Sequence, residues 1–410
     1  MVPLRRRLLA QASGEERLLV RLADIASLSS ASAESPCGGG GGGGEEEAPY
    51  ADVPRRGRRW ERKPYPTPVK ELVRQAKAER RARLANPCRV IEHPPDNGLL
   101  VADLIPVARR VHFAWQSLLR GLSRLLAQPS FRDAVHRCRF CEEVHVGRSG
   151  GHEIRSCEGR GSAARGGGHA WTRGGIRDVA RFPHCFHLVD RVGRPRVGHK
   201  ERLLVPRLPA VVELCIQAGL DLDDFPARRR TRPVCSIEGR IVDFDPQPEV
   251  LASAPQAPVW PAEEEETEEG EEGLRRLGER TLESWLEICG GAERLMERYA
   301  VQTCGYCAEV QVGPKGHKVR MCRAAGHQFR AGLHAWQEAT VDDLIGPSYV
   351  WHMRDPAGPP PANELKRFYG KAPAAVELCV QAGAPPPRQY WSMMRLDVAL
   401  PAPDERDLVA

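Results

Sequence analysis

The chain has 410 residues, enough for two or three domains, with 41% hydrophobic and 28% charged residues, 39 glycines and 35 prolines. No run approaches the roughly 18 apolar residues of a membrane-spanning helix, and thirteen cysteines, an odd number, suit thiolates in a reducing compartment better than a secreted disulfide framework. The net charge is +6, yet eight glutamates between 263 and 272 mask a more basic remainder, which points to an anionic partner with nucleic acid as first candidate.

The first residues, MVPLRRRLLAQASG, set three arginines among leucines before the first acid at Glu15. This reads as an amphipathic organelle-targeting segment over 1–36, with mitochondrion favoured and chloroplast as the alternative. Residues 37–54 hold seven successive glycines and three glutamates, a flexible spacer. Residues 55–85 make a basic arm, in which twelve Lys or Arg stand against three Glu between 55 and 83. Arg55, Arg56, Arg58, Arg59 and Trp60 begin it. Pro68 then opens a predicted helix to about Ala85. Its apolar stripe is Val69, Leu72, Val73 and Ala76, and Arg74, Lys77 and Arg81 recur on another face.

A longer helical pattern covers 99–127, with Pro106 as an expected break and Trp115, Leu118, Leu119, Leu122, Leu125 and Leu126 on its core side. A similar pattern over 274–298 carries Leu282, Trp285, Leu286 and Ile288. After each comes the same series of motifs. CRFC (138–141) returns as CGYC (304–307), and GHEIRSC (151–157) as GHKVRMC (316–322). HAW stands at 169–171 and 334–336, a histidine at His187 and His352, and VELCIQAG (212–219) returns as VELCVQAG (376–383). The chain is an internal duplication, and the repeated positions mark what each unit needs. Each unit reads as a helix, a cysteine/histidine module and a VELC helix closed by Gly219 or Gly383. The units occupy 86–232 and 273–395, with a Pro/Glu-rich linker at 233–272 and a tail at 396–410. The fold class is therefore α+β: two tandem zinc-stapled modules, each a β-hairpin knuckle plus helices, joined by an acidic disordered linker.

In each module a CxxC, a short strand, a glycine turn and a second strand lead to a third Cys, which in the second copy closes His317–Cys322. A CxxC lets two thiolates face one ion, and zinc requires four tetrahedral N/S ligands. Five donors are available per copy: Cys138, Cys141, His152, Cys157 and His169, then Cys304, Cys307, His317, Cys322 and His334. If the HxxxxC piece is a regular strand, residues five apart point to opposite faces, so Cys157 pairs with His169 in a Cys3His set. An irregular knuckle instead closes on His152, and both sets stay open. One zinc ion per unit is expected. His327 has Ser162 in its place in the first copy and reads as a surface residue. Trp171 and Trp336 read as aromatics packed on the module or as base-stacking platforms. His187, His352, Cys215 and Cys379 read as core residues.

The doubled pattern CxxC…GHxxRxC…HAW…Asp…His resembles the plant-specific APO (accumulation of photosystem one) family of organelle proteins with two tandem APO domains. The likeness covers roughly residues 55 to 390. It implies zinc-dependent RNA binding and promotion of group II intron splicing in chloroplasts or mitochondria, with no enzymatic activity. The partners implied are organellar intron RNA and other splicing factors, with no membrane and no small-molecule substrate. The ten cysteines and histidines above carry over from the family pattern. Arg155 and Arg320 inside the GHxxRxC motifs join the candidate RNA contacts. So does Arg177, which stands where the second copy has Asp342 and makes the first copy the more basic. Two rival readings are a zinc-stapled scaffold that binds only proteins, and a zinc-dependent nuclease built on His187/Asp190 or His352/Asp355.

Overall fold

Amphipathic segments at helical spacing make the long elements, and short strands carry the ligand motifs between them. The computed structural model describes residues 69–85, 99–148, 150–232, 234–237, 240–242, 270–324, 331–402 and 404–408. The expected targeting segment (1–36), the glycine spacer, Arg55, Arg56, Arg58, Arg59, Trp60, His327 and most of the expected linker lie outside the described residues.

Helix α1 spans Val69–Ala85, as expected. Its described side chains, including Val73 and Ala76 of the predicted apolar stripe, are exposed. Helix α2, Ile105–Ala127, carries Pro106 in its first turn rather than breaking there, because a proline in that turn forfeits no intrahelical hydrogen bond. Strands β1 (Val135–Cys138), β2 (Val144–Val146) and β3 (Trp171–Arg173) form an antiparallel sheet in the order β2-β1-β3, with Cys138 opposite Trp171. The short helix α3 (Ile176–Val179) leads to the pair β4 (His184–Phe186) and β5 (Arg207–Pro209), and then to α4, Ala210–Gln217. A hairpin of β6 (Cys235–Ile237) and β7 (Arg240–Val242) falls in the stretch assigned to the linker.

The second half repeats the order. Helix α5 (Gly270–Met296) precedes β8 (Val301–Cys304), β9 (Val310–Val312) and β10 (Trp336–Glu338), arranged β10-β8-β9. Helix α6 (Val341–Ile345), the pair β11 (Tyr349–Trp351) and β12 (Lys371–Pro373), α7 (Ala374–Gln381) and α8 (Trp391–Met394) follow. Each VELC helix ends as expected at a glycine with positive φ, +114° at Gly219 and +100° at Gly383.

The expected second strand of each knuckle is absent: 151–157 and 316–322 are not strand. The sheet partners are instead the segment before CxxC and the HAW segment. The missing ladder bonds go to the other half. Glu153 N–H donates to Pro361 O (3.0 Å) and Lys318 N–H to Val197 O (2.9 Å). Arg155 N–H donates to Asn363 Oδ1 (2.9 Å), and Arg320 N–H to His199 Nδ1 (3.2 Å).

The two halves thus interlock about a pseudo-twofold relation. Strand β2 packs on β11 and α7, while β9 packs on β4 and α4. Gln311 bridges both the N–H and the carbonyl of Phe186, and Gln381 donates to Val146 O at 2.9 Å. Helices α2 and α5 cross antiparallel at two glycines. A Cβ on Gly121 would lie 2.2 Å from Thr281 Oγ1, and one on Gly291 would lie 2.2 Å from Val111 Cγ2. One core holds Leu118, Leu122 and Leu125 together with Leu277, Trp285 and Ile288. The halves therefore share their buried apolar surface.

Candidate metal centres

Cys138 ends β1, and the chain turns at once so that Cys141 comes back beside it. Phe140 N–H donates to Cys138 Sγ at 3.4 Å, and Tyr306 N–H repeats the bond to Cys304 Sγ at 3.4 Å. Cys157 arrives on the segment held by the opposite half, and His169 arrives just before β3. The ligand atoms of Cys138, Cys141, Cys157 and His169 all lie within 4.8 Å of one another, and so do those of Cys304, Cys307, Cys322 and His334. A tetrahedral zinc with bonds of about 2.0–2.3 Å separates its ligand atoms by roughly 3.5 Å, so a small contraction completes either site. His169 Nδ1 sits 3.4 Å from Cys141 Sγ, and His334 Nδ1 3.2 Å from Cys307 Sγ. The donor chemistry fits a soft or borderline divalent ion, and each Cys3His cluster could hold one.

The surroundings prepare the thiols for a metal. Burial works against the Cys138 thiolate. The N–H groups of Phe140, Cys141 and Ala170 and the His169 ring outweigh it, lowering the thiol to about 6. Its neighbour Cys141 is pushed up to about 12, by burial first and then by the charge on Cys138. In the second cluster the hydrogen bond from Cys307 is the main cause that lowers Cys304 to about 3. Each CxxC thus favours the thiolate at its first cysteine, and a bound metal would have to displace the proton of the second. Three thiolates around a dication leave one net negative charge. Arg165, donating to Cys157 Sγ at 3.4 Å, offsets it in the first cluster. Ser156 Oγ lies 3.2 Å from His169 Nε2 and orients that ring.

His152 and His317 stand outside the clusters, in equivalent roles. Each imidazole faces a carboxylate, His152 Nε2 at 3.6 Å from Glu143 Oε1 and His317 Nε2 at 3.2 Å from Glu309 Oε1. That carboxylate in turn reaches a cation of the other half: Lys371 Nζ at 3.2 Å from Glu143, and Arg207 at 2.7 Å from Glu309. The His152 and His317 carbonyls accept from the indole N–H of Trp171 (3.1 Å) and Trp336 (3.0 Å). The preceding glycine is required by the same indole, since a Cβ on Gly151 would lie 2.3 Å from the Trp171 ring and one on Gly316 2.0 Å from Trp336. The repeated Gly-His is therefore a docking element. Trp171 and Trp336 pack on it and on His169 and His334.

His187 and His352 are buried, as expected for core residues. Each pairs with the glutamate of a VELC motif, His187 Nδ1 at 2.7 Å from Glu213 Oε2 and His352 Nδ1 at 2.8 Å from Glu377 Oε2. Burial opposes the imidazolium at His187, but the hydrogen bond and charge of Glu213 prevail and raise it. Asp190 is engaged by Arg230 at 2.8 and 2.9 Å and does not pair with His187. The sequence reading missed Glu143, Glu309, Lys371, Arg207, Glu213 and Glu377. All occupy matching places in the two copies, a signal that comparison of the copies contains.

Of the candidate RNA contacts, Arg74, Lys77 and Arg81 are exposed on α1, Arg155 and Arg320 are exposed beside the third cysteines, and Arg177 is exposed on α3. Asp342, at the position of Arg177 in the second half, accepts from the Tyr349 hydroxyl at 3.0 Å.

The chain matches the model of the APO RNA-binding family over residues 44–243 and 274–397. It is 56% identical over 367 residues to APO protein 3, mitochondrial, of Arabidopsis thaliana, covering 88% of this chain and 90% of that protein. Against APO protein 2, chloroplastic, of the same plant the identity is 43% over 357 residues, covering 86% of this chain and 80% of that protein. Against APO protein 1, chloroplastic, also of Arabidopsis thaliana, it is 38% over 359 residues, covering 85% and 81%. No solved structure matches the chain. With a family match across both halves and a Cys3His cluster that could hold a metal ion in each, the chain belongs to the APO RNA-binding family.

Proposed function

We propose that this chain is a zinc-dependent RNA-binding protein that promotes splicing of group II introns in mitochondria. Two Cys3His clusters within an RNA-binding family carry the reading. Zinc would be held by Cys138, Cys141, Cys157 and His169, and by Cys304, Cys307, Cys322 and His334, where it fixes loops that have little apolar core of their own. Arginines on the surface then neutralise phosphates, and unpaired bases are read as single strands. The mitochondrial assignment rests on the Arg5–Arg7 cluster and on similarity to a relative named mitochondrial. In this reading 1–36 is a presequence, 55–85 an RNA-binding arm, and 86–232 and 273–395 the two APO units. Intron RNA and other splicing factors are the partners, and the protein has no catalytic residues.

Salt dependence of RNA binding tests the reading. Neutralising Z phosphates of a single strand gives a log–log slope of about −0.7Z. Deleting 55–83 removes roughly four contacts, the number one helix face can present, so the slope should become shallower by about 3 with zinc content unchanged. RNA co-purified from organelles should be enriched in group II introns. Absence of RNA binding by the zinc-loaded chain, even at low salt, would refute the proposal.

A further inference from the structure

Phe140 is 46% exposed, at the tip of the first knuckle between two metal-binding cysteines. It is held there firmly. Its N–H is bonded to Cys138 Sγ, and Gly159 lies so close against its carbonyl that a Cβ there would be 2.2 Å from the oxygen. The Arg165 guanidinium carbon sits 4.0 Å from the ring centroid. Arg165 is itself fixed by Arg160 O at 2.9 Å, Gly168 O at 3.4 Å and Cys157 Sγ at 3.4 Å. An exposed ring and a half-buried guanidinium so restrained lose little entropy when a flat partner joins them. Arg139, Arg155 and Arg160 are exposed on the same module and supply charge for a backbone.

We propose that Phe140 and Arg165 form a stacking subsite for one unpaired nucleobase of single-stranded RNA. The proposal rests on the RNA-binding reading above. Trp171, the other aromatic of the module, is half-buried and already packed on Gly151, His152 and His169. Phe140 is not used in this way. The duplication repeats the pair in sequence: Tyr306 stands between Cys304 and Cys307, and Arg330 precedes His334 by four residues as Arg165 precedes His169. Because Arg165 also bonds a ligand thiolate, the subsite and the metal centre are built as one unit.

The experiment uses the full zinc-loaded chain and a labelled unstructured oligouridylate, with affinity read by fluorescence anisotropy across a salt series. Phe140→Ala should weaken binding about 5- to 150-fold, the ~1–3 kcal/mol of one stacked base. The salt slope should not change, because no charge is removed. Phe140→Leu keeps apolar bulk on the knuckle and should bind as weakly as the alanine variant, whereas Phe140→Trp should restore affinity. Phe140→Leu with full metal content and wild-type affinity would overturn the subsite and leave RNA binding standing. A wild-type chain that binds no RNA would overturn the broader reading, and the subsite with it.

Discussion

Replacing Gly121 by alanine tests whether the two halves are one body, because the sign of the effect depends on it. In a helix packed only within its own unit, an interior glycine-to-alanine change stabilises by roughly 1 kcal/mol through helix propensity. Gly121 is in a different position. Its new Cβ would lie 2.2 Å from Thr281 Oγ1 and 3.0 Å from both Thr281 Cβ and Cγ2. Rotation of the threonine cannot clear the contact, since its Cβ stays in place and its hydroxyl is bonded to Leu277 O at 2.6 Å. The helices must part, and overpacking of this kind costs about 1–3 kcal/mol. Subtracting the propensity gain leaves a destabilisation of up to about 2 kcal/mol. At ~2.1 cal/mol/K of unfolding entropy per residue, 1 kcal/mol is worth about 1–1.5 °C in a 410-residue chain, so Tm should fall by up to about 2–3 °C. Thr281→Ala removes Oγ1 and Cγ2, so the double variant should recover part of the loss, with a coupling of about 1 kcal/mol. Calorimetry on the four chains of that cycle reads both quantities. A more stable Gly121→Ala with no coupling to Thr281 would refute the shared helix crossing.

The metal assignment predicts two zinc ions per chain by elemental analysis, falling toward one in Cys307→Ser, and the melt should remain a single transition at lower temperature because the core is common to both halves. His169→Ala should lose one metal equivalent whereas His152→Ala should retain both, its imidazole being turned to Glu143. His187 has a raised folded value, so its pair with Glu213 contributes stability fully below the unfolded value of 6.5 and loses it as pH rises through the folded value. Urea midpoints at saturating zinc should therefore decline more steeply above about pH 6.5 in the wild type than in His187→Gln.

The helices, the duplication and the eight cysteines and histidines that cluster were legible in the sequence, because helical periodicity and ligand spacing are local patterns, although His152 and His317 carried the same spacing and stand outside the clusters. A regular strand over 317–322 would have favoured His334 as fourth donor, yet the structure has no strand there and the histidine of HAW joins the cluster all the same. His169 joins the cluster because β3 pairs with β1 and carries the HAW segment to the knuckle, a long-range pairing that spacing does not report. His152 is turned away because Glu143 and the Trp171 indole engage it. The interlocking of halves was invisible for a related reason. A linker rich in Pro and Glu suggests independence, while the evidence against it lies in Gly121 and Gly291, which read as weak helix positions until their neighbours are known.

The exchange of segments between halves fixes when the molecule can mature. Arg155 finds its partner Asn363 208 residues further along, and Arg320 finds His199 behind it. A chain threading into a compartment N-terminus first therefore presents the three thiols of its first cluster long before the strap that positions Cys157 exists. Contacts of such sequence separation are slow to form, so the first site holds all four of its ligand residues but lacks the support for its third cysteine until the second half is delivered. A chain truncated before residue 361 would carry every ligand residue of both clusters and yet lack the strap over the first.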